Sequence, residues 1–197
     1  VKCGHTVVCQ SSEQFDCVVF PGPSTGIAPL LYGEQPIGKL ARFDLLADRL
    51  DIALFKRLTN SMPKIGIGRG AHLLNCLSGG RTLQKATNHF GRGDHDLQVV
   101  INGTVEIIDV PSNHCELMVS GPSGLPLGWA NEAYFKEGEN FKRRYTPEER
   151  RKSFDDEEVI FYEQTNSLCI QFDPTEGNQG CKDAFFALIK QAVESRI

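Results

Sequence analysis

Apolar and polar positions alternate at two different periods along this chain, and the change of period predicts its elements. Thr6–Cys9 and Cys17–Phe20 are short β-branched and aromatic runs that read as strands. Pro21, Gly22, Pro23 and Gly26 end the second run in a loop. Phe43, Leu46, Leu50, Leu54 and Leu58 recur at steps of three and four, which predicts a helix over Leu40–Leu58. Pro63–Ile67 reads as a short buried strand. It turns through Gly68, Arg69 and Gly70 into an apolar helix, Ala71–Leu77, closed by Gly79 and Gly80. Leu97–Ile101 and Val105–Val110 flank Asn102-Gly103, the signature of a hairpin with a type I′ turn. Glu116–Val119 is a further strand, and Gly121–Gly128 reads as a Gly/Pro loop. Val159–Glu163 and Leu168–Phe172 pair as a hairpin around Gln164–Ser167, and Lys182–Ser195 is an amphipathic helix on Phe185, Leu188, Ile189 and Ala192. Strands alternate with helices early and hairpins dominate late. The expectation is an α/β domain, a mostly parallel sheet with helices on both faces and an antiparallel hairpin extension.

Composition narrows the class. The 197 residues are 40% hydrophobic and 23% charged, ordinary for a globular protein, and the length fits a single domain over 1–197. A net charge of −4 argues against nucleic acid as a partner. The longest uncharged stretch, Cys17–Gly33, carries three prolines and cannot span a membrane. Seven cysteines, without C-x-x-C or zinc-type Cys/His spacing, fit a reduced, cytoplasmic setting. Over about 133–158 the composition shifts to dense mixed charge. This is either a solvated face or, across Lys142–Glu158, a surface for a partner.

Four segments, in order, resemble the class I glutamine amidotransferases and their γ-glutamyl hydrolase relatives. Phe15-Asp-Cys-Val-Val-Phe-Pro-Gly-Pro23 is similar to the family's strand ending in a Gly-Pro loop. Gly66-Ile-Gly-Arg-Gly-Ala-His72, followed by Gly79-Gly80, resembles the nucleophile elbow G-x-C-x-G-x-Q. Val110-Pro-Ser-Asn-His-Cys-Glu116 resembles V-N-S-x-H-x-Q of the hydrolases, and Ile170-Gln-Phe-Asp-Pro-Thr175 resembles Q-[FW]-H-P-E. The resemblance implies a flavodoxin-like fold and a cysteine nucleophile at a strand-to-helix turn, where helix N–H groups and the Gly-Pro loop hold the oxyanion. It implies a histidine base oriented by a glutamate two residues on.

This chain departs from that pattern at all three positions. Gly68 stands at the nucleophile, Asp173 at the base and Thr175 at the orienting residue. Glycine has no attacking atom, and aspartate does not carry the two-way proton role of imidazole near neutral pH. Loss of an indispensable triad member costs on the order of 10⁶ in turnover. The expectation is no cysteine-dependent glutaminase activity. What the resemblance leaves is a frame. Gly22 with the amides of Arg69 and Gly70 would form an anion-accepting nest, Arg69 would offer a carboxylate fork or serve packing, and Ser112, Asn113 and His114 would line the cleft. His72 replaces the family's glutamine and is expected to pack against the glycine loop. Cys76 is expected to face the sheet, and Cys115 adjoins His114.

Two other motifs compete. Gly66–Ala71 also fits G-x-G-x-x-[G/A], but it falls mid-chain without an acidic residue about twenty positions on. His89 and His95 sit six apart in a Gly-rich loop with no third ligand at suitable spacing, so neither a metal nor a cofactor is expected. The resemblance also implies a first βα unit ahead of Gly4–Cys9 that this sequence does not show. The expectation is a fragment, or an exposed sheet edge covered by a protein partner or by self-association. The reading is a catalytically degenerate amidotransferase-like protein, a scaffold, regulatory or ligand-binding subunit holding a small carboxylate. The alternatives are an active hydrolase or amidotransferase with catalysis relocated to Asp173, His114 and Cys115, and a structural component of a larger assembly.

Overall fold

The structure, a computed structural model, describes residues 17–22, 25–36, 43–84, 93–114, 116–130 and 156–194. Its elements are β1 (Val18–Phe20), α1 (Leu45–Arg57), β2 (Lys64–Ile67), α2 (Arg69–Leu77), β3 (Arg81–Gln84), β4 (His95–Ile101), β5 (Thr104–Val110), β6 (Glu116–Val119), β7 (Leu125–Ala130), β8 (Glu157–Tyr162), β9 (Ser167–Ile170) and α3 (Gln179–Glu194). A short 3-10 turn, Pro29–Tyr32, precedes α1. The main path of the sheet runs β1-β2-β9-β8-β7-β4-β5, with β6 branching from β8 and β3 from β6. The pairs β1–β2 and β2–β9 are parallel, and every other pair among the described strands is antiparallel. The expected α/β architecture is present, with the parallel pairs at the β1 end of the described sheet and an antiparallel extension that reaches further than the one anticipated hairpin.

Helices cover both faces. On one, Cys181, Ala184, Phe185, Leu188 and Ala192 of α3 pack on Leu97, Val99, Leu168 and Ile170. On the other, Ala71, Leu73 and Leu74 of α2 pack with Phe20, Met118, Ile160 and Cys169, flanked by Ile52, Leu54, Phe55 and Leu58 from α1 and its end. The hairpin forms as predicted, with Asn102 at φ 50° and Gly103 at φ 78° supplying the turn.

The structure corrects four expectations. Leu45, not Leu40, opens α1, because Asp44 caps it by accepting from Leu46 N and Ala47 N at 3.0 and 3.1 Å. Phe43 instead bridges Gly26. Leu46 and Leu50, the expected inward residues, are 67% and 58% exposed, because Ala47 and Asp48 take the buried face. The Gly121–Gly128 loop ends early. Leu125–Ala130 is a strand whose register shifts between Pro126 and Gly128 give both residues a place. Glu157 and Glu158 belong to β8 and not to a charged excursion. The strand expected at Thr6–Cys9 and residues 131–155 lie outside the described residues. No helix among the described residues is long and apolar enough to cross a membrane.

Candidate functional site

β2 is a buried central strand, held in parallel register by β1 and β9. At its end Gly68 N donates to Ile170 O across 3.0 Å. Gly68 then adopts φ 54°, ψ −118°, a conformation that costs a residue with a side chain about 1–3 kcal/mol. α2 starts at the next residue, with Ala71 N and His72 N both bonded to Gly68 O, at 3.0 and 3.2 Å. The helix start aims the N–H groups of Arg69 and Gly70 away from the ladder. A β-carbon on Gly22 would collide with the Arg69 backbone, and one on Gly70 with the Phe20 carbonyl. Those two glycines therefore let the loop after β1 press against the helix start. Gly22, Gly68, Arg69 and Gly70 meet in one place, an elbow with the strained backbone but no side chain at its apex. A β-carbon at Gly68 would meet nothing nearer than Gln171 O at 3.9 Å.

The Arg69 side chain is used differently from a ligand fork. It is buried, and its guanidinium is held by Asp48 and by Asp51, the latter at 2.6 Å. Asp48 also accepts from Ala28 N at 2.9 Å, so one α1 carboxylate ties the loop after β1 to the elbow. The packing alternative for Arg69 is the one realised.

Asp173 and Thr175 come together through each other. Asp173 Oδ1 accepts from Thr175 N at 2.8 Å and from Thr175 Oγ1 at 2.7 Å, closing a local turn. Asn113 reaches the same turn, donating from Nδ2 to Glu176 Oε2 at 3.4 Å. Ser112 is buried, and His114 is half-buried with Nε2 3.8 Å from Glu158 Oε1. His72 is buried, as expected. Its Nδ1 pairs with Thr82 Oγ1 of β3 at 3.0 Å, and burial with nearby His114 pushes its pKa down to about 3, so it is a neutral imidazole. Cys76 packs inward as expected. Burial pushes its thiol up to about 12, against the hydrogen bond from Thr82 and together with Glu116, Glu34 and Asp48, so it is no ready nucleophile. Cys115 and His89 lie outside the described residues. His95 is on β4, not in a loop, and its Nε2 lies 2.8 Å from Glu158 Oε1. No described group of His, Cys, Asp and Glu has the arrangement of a metal site. Gly66 sits within β2 and not in the turn, which leaves the dinucleotide motif without its first loop glycine.

Sequence reasoning missed three residues. Gln171 joins the elbow's neighbour to β6, with Nε2 donating to Glu116 O at 2.6 Å and Oε1 accepting from Met118 N at 3.4 Å. Glu116 lies against Gly26, and burial with Asp48 raises its carboxyl to about 7. Glu158 is fully buried beside two histidines. The first two stand in the quoted segments. Glu158 was hidden at the end of a run of charges.

The sequence profile of the Peptidase C26 family matches residues 3–118, more than half of the chain. That stretch contains Gly22, Gly68–Gly70 and Ser112–His114, whereas Asp173 and Thr175 lie beyond it. The glutamine amidotransferase-like protein YvdE of Lactococcus lactis subsp. lactis is 35% identical over 92 residues, covering 41% of this chain and 39% of that protein. Its homolog in Lactococcus lactis subsp. cremoris is 33% identical over 92 residues, covering 41% and 48%. The chain thus spans less than half the length of these curated relatives. Among solved structures it is similar to a GMP synthase subunit from Thermoplasma acidophilum. The TM-score is 0.57 at 16% identity, over 92% of this chain and 74% of that one, a likeness of fold. With the elbow in place on this α/β frame and the profile matched over residues 3–118, the chain belongs to the Peptidase C26 family.

Proposed function

We infer that this chain is a catalytically degenerate member of its family, a ligand-binding or scaffold subunit working in a reduced, cytoplasmic setting. The observation that carries the reading is the elbow itself. The backbone keeps the turn at Gly68 that would present a nucleophile, yet the residue there has no atom to attack with. The position resembling the base is an aspartate whose Oδ1 is engaged by Thr175. The described cysteine nearest in sequence, Cys76, holds its proton. What remains is a nest of N–H groups at the start of α2 beside Gly22, which suits a small carboxylate or a glutamine-like ligand.

A second reading, catalysis relocated to Asp173, His114 and Cys115, draws support from His114 standing beside the buried carboxylate of Glu158. One assay separates the two. Release of glutamate from glutamine and from a panel of γ-glutamyl amides is followed for the parent chain and for Gly68→Cys. The expected outcome is no release by either, because the variant regains a thiol but no imidazole base. Release by the parent that disappears in His114→Ala would establish the second reading instead.

A further inference from the structure

Among the described strands β5 ends the sheet and pairs only with β4. The two-residue turn at Asn102-Gly103 makes Ile101 and Thr104 a hydrogen-bonded pair, and the pattern then alternates along the ladder. Thr104, Glu106, Ile108 and Val110 therefore turn their N–H and C=O groups toward β4. Those of Val105, Ile107 and Asp109 turn outward. The seven pairs from His95↔Val110 to Ile101↔Thr104 run without a bulge. β5 carries neither lysine nor proline and pairs without a bulge, so among the devices that blunt an edge it has only the carboxylates of Glu106 and Asp109. Val105 and Ile107 stand 56% and 61% exposed.

The charges on β5 exclude some pairings there, and the reach of the strand narrows the rest. In an antiparallel pairing of two copies about a two-fold axis, an axis at Glu106 sets two glutamates opposite each other. An axis at Asp109 sets two aspartates opposite. Like charges in directly opposed positions are destabilising. An axis at Ile107 pairs the whole strand, with Thr104 opposite Val110, Val105 opposite Asp109, Glu106 opposite Ile108 and Ile107 opposite itself. No carboxylate then faces another. The same axis engages every outward N–H and C=O of Val105, Ile107 and Asp109, because it makes Ile107–Ile107 a hydrogen-bonded pair. Along the main path this edge lies five strands from β2, and only its Val110 end runs on toward Ser112–His114.

We propose that β5 is a self-association surface. Two copies of the chain join edge to edge through antiparallel β5–β5 pairing centred on Ile107, continuing the sheet from one copy into the other. The interface is independent of whether the pocket binds a ligand.

Light scattering of the full chain across a concentration series tests it. The expected mass is twice the 21.8 kDa of one chain, falling to a single chain in Ile107→Lys and in Val105→Lys with unchanged circular dichroism. A cysteine scan tests the register. Hydrogen-bonded antiparallel partners have Cα atoms about 5.5 Å apart, within disulfide range. Mild oxidation should therefore link Ile107→Cys into a dimer well above the level of the parent or of Thr104→Cys. A parent that stays at 21.8 kDa at every soluble concentration overturns the proposal. So does a dimer that survives both lysine substitutions, or one that Ile107→Cys fails to link.

Discussion

At Arg69, the residue after the elbow's apex, the guanidinium meets carboxylates of its own chain. Asp48 and Asp51 lie one turn apart on α1 and both reach it, and Asp48 spends its second oxygen on Ala28 N. A buried ion pair adds little net stability when intact, but removing one partner leaves an uncompensated charge. Asp48→Ala should therefore destabilise the fold by about 3–5 kcal/mol in urea unfolding, since it strands Arg69 and orphans the Ala28 amide. Asp51→Ala should cost much less, because that carboxylate is a quarter exposed and water screens it. Equal losses in the two variants would mean that the loop-to-elbow tie through Ala28 is unimportant. The functional consequence lies in the same geometry. With its side chain committed to α1, Arg69 offers a ligand only its backbone N–H.

The elements differ in how readily the sequence reveals them. The hairpin of β4 and β5 was legible because Asn-Gly fixes a turn locally, and α2 because two glycines close it. β7 was not, since Pro126 and Gly128 read as loop residues until a register shift admits them to a sheet. β3 carries only Thr82 and Leu83 as buried residues, too short a pattern to detect. The inward face of α1 was misread because a charged residue, Asp48, takes the buried position that periodicity assigns to leucines. The elbow was legible through its motif, whereas the partners of Arg69, His72 and Glu158 depend on contacts between distant segments. Lys64 is another such residue. It opens β2 fully buried, and its Nζ donates to the carbonyls of Thr59, Met62 and Thr165 at 2.9, 3.0 and 2.8 Å. It thereby joins the loop before β2 to the turn between β8 and β9. Lys64→Met keeps the bulk and removes those donors, and should cost about 1–3 kcal/mol by leaving carbonyls unpaired. An unchanged melting temperature would mean that water replaces the ammonium at no cost.

Across the whole molecule the sheet divides two apolar layers, with Leu168 and Ile170 of β9 serving one and Cys169 the other. Among the groups held above their ordinary values, Glu116 on one face and His95 on the other bear on stability near neutral pH. On the α2 side, burial and the charge of Asp48 raise Glu116 from 4.5 to about 7. On the α3 side, burial works against the charged form of His95. Its hydrogen bond to Glu158, with the charges of Glu158, Asp156 and Asp109, nevertheless carries it above 6.5. Both shifts have the same sign for stability. Unfolded, Glu116 loses its proton near 4.5, so between 4.5 and about 7 the folded chain binds more protons and stability falls as pH rises. The contribution of His95 is complete below 6.5 and is lost as pH rises through its higher folded value. The fold should therefore resist urea better on the acid side of neutrality than above it. Glu116→Gln should remove the part of that slope lying between 4.5 and about 7, up to about 3 kcal/mol, and leave the later part due to His95. Urea midpoints of parent and variant at a series of pH values measure the difference directly. If the two curves stay parallel from about pH 5 to about pH 8, Glu116 is ionised throughout in the folded chain and its burial against Gly26 does not hold a proton.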